Sequence, residues 1–272
     1  MLSMDNIKKY GVIGHPIAHS LSPEIHHLFA KQFQINLDYQ KYDVQIEQFR
    51  DAIGKFILEG FDGLNVTLPL KKEAYALSNH LSERANLTKS VNTLTFKDGL
   101  VYGDSTDGKG FVDDLKNKNI NLADHSCLII GAGGAANGII FDIIKERPKL
   151  LTVTNRTQSK ARELINYWQE FAAANKVKIE QRDIQNLKHN FTLIINATSA
   201  GILSDESPIN TAVIKPDTAC YDLTYGFETA FLRNCRNSGA KCFDGMGMLI
   251  NQAAESFFLW HNLRPNLKDL EI

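Results

Sequence analysis

The run Cys127-Leu128-Ile129-Ile130-Gly131-Ala132-Gly133-Gly134-Ala135-Ala136 constrains what this chain can fold into more than any other segment. Its apolar residues make a short buried strand, the glycines a turn, and the apolar residues that continue through Phe141 and Ile144 a helix. Gly131 permits a sharp turn, Gly133 lets the backbone approach a phosphate, and Ala136 permits close packing of the helix. The helix N-terminus then offers unpaired N–H groups to an anion, so Gly131 to Ala135 read as a cradle for a dinucleotide pyrophosphate. An ordinary strand-to-helix turn is the plainer alternative. The cradle begins near residue 130, so roughly one domain's length of chain precedes it. Substrate chemistry is the natural occupant of that part.

Composition narrows the partners. The chain has 272 residues, 43% of them hydrophobic and 22% charged, as in an ordinary globular protein with room for two domains. Thirty basic residues against 31 acidic ones leave a formal charge of -1, so no overall field favours nucleic acid or an anionic membrane. A small molecule is the expected partner. Residues Met1 to Lys9 lack an apolar signal region, and no stretch approaches the roughly 18 apolar residues of a membrane span, so a cytoplasmic location is expected. Cys127, Cys220, Cys235 and Cys242 show no CxxC pairing and read as reduced, buried thiols. His15 and His19 lack a third nearby ligand, so no metal is expected.

Apolar runs ending in turn signals alternate with helical periodicities: Tyr10 to Gly14, a helix from Pro23, Asp38 to Val44, a helix from Ile46, and Gly63 to Leu68. Such alternation predicts a largely parallel sheet covered by helices. Val91 to Phe96 and Leu100 to Tyr102, joined by Lys97-Asp98-Gly99, predict a hairpin. A second series follows, with strands near 127–130, 150–155, 177–180, 192–196, 218–222 and 241–243, in an order that suits a Rossmann-type sheet. The tail from Gly247 through Trp260 repeats apolar residues at helical spacing and has no strand after it. The expected fold is α/β in two domains: a substrate domain over 1–106, a dinucleotide domain over 107–244, and a C-terminal helical segment, 245–272, that returns to the first domain.

Strand 150–155 delivers Asn155-Arg156-Thr157 about twenty residues past the first cradle glycine, where NAD-binding sheets place an acid on the ribose 2′-hydroxyl. No acid stands there. Arg156 suits a 2′-phosphate, Lys160 lies nearby, and Asn155 and Thr157 add uncharged donors, which favours NADP over NAD. A basic helix start that simply faces water remains the alternative. Strand 193–195 exits into Asn196-Ala197-Thr198-Ser199-Ala200-Gly201, small and polar at the carboxyl edge of the sheet, where cofactor is expected.

Asn65 and Thr67 project on one face of their strand. Lys71 then falls at the start of the next helix, where the macrodipole disfavours a cation. A misplaced charge there points to an anionic partner or a depressed pKa, either of use in proton transfer; a solvated lysine beside Lys72 is the bland reading. Asp107, in Gly103-Asp104-Ser105-Thr106-Asp107-Gly108, is either an N-cap or a carboxylate facing a cleft, and near Lys71 it would hold the ammonium. Ser20 and Ser22 offer hydroxyls suited to a polyol or carboxylate, although Ser22 also reads as an N-cap before Pro23.

Together these segments resemble the shikimate dehydrogenase family. The likeness runs through His19-Ser20-Leu21-Ser22-Pro23, Asn65-Val66-Thr67-Leu68-Pro69-Leu70-Lys71, Val91-Asn92-Thr93-Leu94, the Gly103 to Asp107 segment and the glycine cradle. It continues through Asn155-Arg156-Thr157, Asn196-Ala197-Thr198-Ser199, Tyr221-Asp222-Leu223-Thr224-Tyr225 and the run from Gly245 to Ala254. The resemblance implies NADPH-dependent reduction of 3-dehydroshikimate to shikimate, on the route to aromatic amino acids. It implies Lys71 and Asp107 as the catalytic pair, and Ser20, Ser22, Asn65, Thr67, Asn92, Tyr225 and Gln252 as further substrate contacts. Leu223 and Gly245 join Gly131 to Ala135, Asn155 to Thr157, Lys160, Thr198 and Ser199 on the cofactor. Ser105 stands where many members carry asparagine. The competing readings are a quinate/shikimate dehydrogenase using NAD and a silent NADP-binding sensor; a hydrolase lacks its Gly-x-Ser-x-Gly elbow. A monomer and a homodimer are both compatible with the sequence.

Overall fold

The computed structural model describes residues 7–123, 125–187, 191–199, 206–268 and 270. The chain divides into two compact units, one built from the residues up to Gly110 together with those from Ile250 onward, the other from Phe111 to Leu249.

In the first unit six strands, β1 (Lys8–Gly14), β2 (Leu37–Asp43), β3 (Gly63–Val66), β4 (His80–Leu81), β5 (Thr93–Lys97) and β6 (Leu100–Asp104), form one sheet in the order β2-β1-β3-β5-β6-β4. β1 runs parallel to β2 and β3, as the strand-helix alternation predicts, and β4 parallel to β6, while β5 is antiparallel to β3 and, in the expected hairpin, to β6. The Asp-Gly turn is the physical reason for the hairpin: Asp98 at φ 52° and Gly99 at φ 74° reverse the chain within two residues, which a parallel crossover cannot do. β1 and β3 lie inside the sheet and are buried almost continuously, whereas β2, at the edge, buries only Tyr39 fully. Ile13, Leu64, Val66 and Leu94 pack with Phe49, Ile53 and Leu70 from the covering segments into one core.

Several local expectations differ from the structure. β3 ends at Val66 rather than Leu68: the Thr67 N–H still bonds the Ile13 carbonyl, but the Thr67 carbonyl accepts from the Leu70 N–H and closes a turn that contains Pro69. Ser22 is not an N-cap: the helix Ser22–Gln32 already includes it, and Leu21 holds the cap position without a side-chain bond. The helix expected from Ile46 starts as a 3-10 turn, Ile46–Gln48, before the α-helix Phe49–Leu58. β4 and the helix Glu83–Thr88, capped by Ser82 Oγ on the Ala85 N–H, were not anticipated, since two and six residues are too few to show a period. The helix Met246–His261 supplies this unit's last wall: Trp260 stacks on Tyr10 at 4.3 Å and donates through Nε1 to the Leu94 carbonyl at 3.1 Å.

The second unit carries β7 (Ser126–Ile130), β8 (Leu150–Thr154), β9 (Lys178–Gln181), β10 (Leu193–Asn196), β11 (Ala219–Asp222) and β12 (Lys241–Phe243). Their order is β12-β11-β10-β7-β8-β9 and every pairing is parallel, the doubly wound arrangement with its switch point between β7 and β10. β7, β8, β10 and β11 are apolar and almost wholly buried, as strands covered on both faces must be. Helices Gly134–Lys145 and Gln158–Ala174 follow β7 and β8. Phe231, Leu232 and Cys235 of helix Ala230–Asn237 pack with Leu128, Ile194 and Cys220. Cys127, Cys220 and Cys235 are buried free thiols, whereas Cys242 is only part-buried because β12 is an edge strand. No described helix is long and apolar enough to cross a membrane.

Candidate active site

Lys71 opens helix Lys71–Leu77, and its Nζ donates to Asp107 Oδ2 at 2.6 Å. The carboxylate answers the misplaced charge: the helix dipole at Lys71 repels a cation, and Asp107, in the first turn of helix Asp107–Asn117, is an anion where a dipole favours one. Asp107 is therefore inside its helix rather than capping it. Both side chains are largely shielded, with 23% and 16% of their surface exposed, which leaves one side of the pair accessible.

The other Asp107 oxygen accepts from Asn92 Nδ2 at 3.0 Å. That amide also reaches Thr106 Oγ1 (2.9 Å) and Gln252 Oε1 (3.2 Å), while Asn92 Oδ1 accepts from the Thr106 N–H at 2.8 Å. Gln252 arrives on the C-terminal helix, and Gly110 lets it approach: a Cβ at Gly110 would stand 2.5 Å from the Gln252 nitrogen. Asn65 Oδ1 accepts from the Tyr39 hydroxyl at 2.7 Å, and Asn65 Nδ2 donates to Ser256 Oγ at 2.9 Å. Ser256 in turn lies 2.7 Å from Thr93 Oγ1 and 3.3 Å from Thr106 Oγ1. Burial pushes the Tyr39 phenol well above its ordinary pKa, with the neighbouring Ser22 hydroxyl pulling the other way. Ser20 Oγ donates to Ser22 Oγ at 3.2 Å.

The structure thus joins Ser20, Ser22, Asn65, Asn92, Asp107, Lys71 and Gln252 through one chain of polar contacts. Thr67 stays outside it: β3 has ended, and Thr67 sits half-buried in the following turn. His15 pairs with Asp43 at 2.6 Å on the exposed rim of the sheet. Tyr225 belongs to the second unit, half-buried past β11, with its phenol pKa raised by burial. Tyr39, Thr93, Thr106 and Ser256 were missed in the sequence. A period-2 reading of β2 and β5 and the i, i+4 relation of Ser256 to Gln252 are the signals that would have flagged them.

In the second unit a cleft of about 760 Å³ opens at the carboxyl ends of β7, β8 and β10. Gly131, Ala132, Gly133, Asn155, Arg156, Thr157, Lys160, Thr198 and Ser199 line it. Gly131 has φ 114°, and a Cβ there would meet the Ala197 carbonyl at 2.9 Å, so the turn requires glycine. Open space lies where side chains on Gly133 and Gly134 would begin, and the helix they start has no acid in its first turn. Arg156 and Lys160 are exposed, and neither side chain has a hydrogen-bond or ion-pair partner among the described residues. Asn196 holds Thr198 through Oδ1 (2.7 Å) and bonds Asp222 through Nδ2 (2.9 Å), fixing the loop's exit.

A cradle open to an anion, two exposed cations and Arg156 at the position where NAD-binding sheets carry an acid fit a dinucleotide carrying a 2′-phosphate, although Asp183 and Glu206 line the same cleft. Gly134 and Ala135 lie in the helix rather than on the cleft wall, as their backbone N–H groups are what the helix start presents. Leu223 and Gly245 lie against each other away from that wall: Leu223 donates to the Asn196 carbonyl and Gly245 to the Thr224 carbonyl. Ala200 and Gly201 lie outside the described residues. Asp183, Ile184, Gln185, Glu206, Ser207 and Pro208 complete the lining and were not anticipated. The rule that such sheets bind ligands beyond the carboxyl ends of their strands would have flagged 183–185, just past β9.

Residues 12–94 match the shikimate dehydrogenase substrate binding domain, 114–219 the shikimate/quinate 5-dehydrogenase family and 245–271 the shikimate 5'-dehydrogenase C-terminal domain. The NADP(+) shikimate dehydrogenase of Colwellia psychrerythraea is 41% identical over 263 residues, covering 96% of this chain and 94% of the relative. That of Herminiimonas arsenicoxydans is 43% identical over 259 residues, covering 94% and 93%. The crystal structure of Thermus thermophilus shikimate 5-dehydrogenase in complex with NADP(H) and shikimate superposes with a TM-score of 0.86 at 30% identity, covering 95% of each chain. With a paired lysine and aspartate in one unit, a glycine-rich strand-to-helix turn in the other and this similarity along nearly its whole length, this chain belongs to the shikimate dehydrogenase family.

Proposed function

We propose that the chain catalyses the reversible NADP-dependent reduction of 3-dehydroshikimate to shikimate, on the route to aromatic amino acids, in keeping with relatives named NADP(+) shikimate dehydrogenases. The observation that carries this reading is the 2.6 Å contact between Lys71 and Asp107, set in a buried polar network with one side open. The first unit takes the substrate and the second the cofactor.

Bound NADPH supplies the hydride for the ketone carbon. Lys71 does the complementary work: its ammonium stands ready to protonate the alkoxide oxygen that develops, so charge appears where a donor is already fixed. Asp107 holds that ammonium through Oδ2 and is itself held by Asn92 through Oδ1, which leaves the pair little freedom to rotate away. In the oxidative direction neutral Lys71 takes the hydroxyl proton, and Asp107 stabilises the ammonium that results. Asn92, Gln252 and Asn65 meet ring hydroxyls, and Ser20 and Ser22 the carboxylate. Thr67 and Tyr225 complete the substrate contacts. In the second unit the start of helix Gly134–Lys145 takes the pyrophosphate, Arg156 and Lys160 the 2′-phosphate, with Asn155 and Thr157 beside them. Thr198, Ser199, Leu223 and Gly245 line the remaining length of the cofactor. Every residue named belongs to one chain, so a monomer or a homodimer serves equally, and we assign it to the cytoplasm.

The test is a four-way assay: absorbance of the reduced nicotinamide, with shikimate or quinate as substrate and NADP or NAD as cofactor. Turnover of shikimate with NADP far above the other three combinations is expected. Comparable turnover of quinate with NAD would replace this reading with that of a quinate/shikimate dehydrogenase, and none with any pair would leave a nucleotide-binding sensor.

A further inference from the structure

Behind the acid–base pair lies a second set of charges that proton transfer does not use. Arg84, in helix Glu83–Thr88, donates from Nε to Asp104 Oδ1 at 2.6 Å and from Nη2 to Asp104 Oδ2 at 3.0 Å, a two-pronged pair. The same Nη2 reaches Glu255 Oε1 at 3.1 Å, and Arg264 Nη1 bonds the other Glu255 oxygen at 3.0 Å. Arg84, Asp104 and Glu255 expose only 14%, 17% and 8% of their side chains. Charges that far from water are costly unless every one is matched, and here the buried Arg84 and the more exposed Arg264 face two carboxylates.

Location gives the set a purpose. Asp104 ends β6, three residues before Asp107, and its carboxylate also accepts from Ser82 Oγ (2.5 Å) and the Ser105 N–H (2.7 Å). Its carbonyl accepts from the Asn92 N–H at 3.0 Å, and Asn92 is the residue that holds Asp107. Glu255 follows Gln252 by three residues on the same helix, so it shares a side of that helix with the amide reaching Asn92. One guanidinium therefore joins the turn that ends in Asp107 to the helix that carries Gln252.

We propose that Arg84 is a positioning residue for the Lys71–Asp107 pair: its fork on Asp104 and its bond to Glu255 fix the Asp104–Asp107 turn and the Gln252 helix in the one register that aligns the acid–base pair. Arg84 touches neither reacting atom. Without the fork, Asp104 keeps its bonds to Ser82 and Ser105, so the turn persists but its end is free to shift by fractions of an ångström. Acid–base catalysis is sensitive to displacements of that size. The proposal rests on Lys71 and Asp107 being the acid–base pair.

Arg84→Lys keeps the charge and removes the fork. In the full chain it should lower kcat for shikimate about tenfold or more, while the KM for NADP, set in the other unit, stays within about twofold. Combined with Asp107→Asn it should cost little further kcat, because the group it positions is already gone, whereas a general loss of stability would cost the same factor in both backgrounds. Arg84→Gln, lacking the charge as well, should be worse than Arg84→Lys, and Glu255→Gln milder. Circular dichroism and NADP binding report folding, and the mildest variants that fold decide. Unchanged kcat in Arg84→Lys, equal factors in both backgrounds, or failure of all three variants to fold would overturn the proposal. If Asp107→Asn alone retains wild-type turnover, the assignment of the pair has failed instead.

Discussion

Lys71 in the first unit is already engaged, 2.6 Å from Asp107, whereas Arg156 and Lys160 in the second stand exposed without a side-chain partner among the described residues. The same contrast runs through the rest of each site. Asn65, Asn92, Thr106, Gln252 and Ser256 bond one another, while a side chain begun at Gly133 or Gly134 would meet only open space. Acid–base chemistry needs groups fixed before the substrate arrives, since reorganisation during the reaction adds to the barrier. Holding a phosphate needs the opposite: cations and N–H groups whose best partner is the ligand itself. The first unit's polar groups are bonded to one another, whereas Arg156 and Lys160 of the second face the solvent.

The sharpest way to break this contrast is Lys71→Ala. It should lower turnover by about 10²- to 10⁴-fold with a much smaller effect on shikimate affinity, measured as kcat and KM separately. A variant with more than half of wild-type turnover would show that the engaged pair is merely structural. Arg156→Ala tests the other side. Loss of one charge-assisted bond to phosphate, roughly 1.5–3 kcal/mol, should reduce the preference for NADP over NAD about ten- to a hundredfold and leave kcat with shikimate nearly unchanged. An unaltered preference would mean that the exposed cations serve only solubility.

A third test uses acid. His26 is fully buried, stacked on Tyr39 at 4.4 Å, and neither ring nitrogen has a hydrogen-bond partner of good geometry among the described residues, the Asn65 amide nearby pulling its pKa up only in part. Burial, with His261 adding to it, lowers its pKa to about 3, and His261 itself is lowered to about 4 by burial and Lys8. The unfolded chain binds these protons near pH 6.5 and the native first unit does not, so their contribution to stability is intact above pH 6.5 and lost as pH falls from there towards 3. Each such histidine tilts the curve by up to about 1.4 kcal/mol per pH unit in that window. Thermal melts of His26→Phe between pH 7 and pH 4 should therefore be flatter than those of wild type. Parallel curves would mean that the ring is already charged or wet.

The smallest effect belongs to Gln252→Ala. One net hydrogen bond, about 0.5–1.5 kcal/mol, should raise the KM for shikimate several-fold and leave that for NADP alone. Equal changes in both, or a lower melting temperature with unchanged kinetics, would assign Gln252 to the scaffold.

How much of this was legible in the residues follows from the same contrast. The cradle at Gly131 to Ala136, the six strands around it and Arg156 are local signals: a period, a glycine spacing, a missing acid. They can be read within about thirty residues of chain, the span of one strand-helix-strand unit. The meeting of Lys71 with Asp107, or of Arg84 with Asp104 and Glu255, joins residues brought near only by sheet register and by the return of the C-terminal helix. Resemblance to a family could pair the first two; nothing local could pair the others. Both halves of the first sheet were local signals as well: strand-helix alternation over Tyr10 to Leu68 gave the parallel β2-β1-β3 part, and the Asp-Gly turn gave the antiparallel hairpin.

Helix Met246–His261 begins in residues that cluster with the second unit and ends in residues that belong to the first. Gln252, Glu255 and Ser256 are thus among the last parts of the site to leave a ribosome, after every strand of the cofactor sheet. During synthesis Lys71, Asn92 and Asp107 wait for the wall that packs Asn65 and Asn92, while the cofactor cleft already has its whole sequence. A message truncated near codon 245 would yield a chain with a complete nucleotide-binding sheet and a substrate site missing one side, so premature termination in this layout costs chemistry before it costs nucleotide binding.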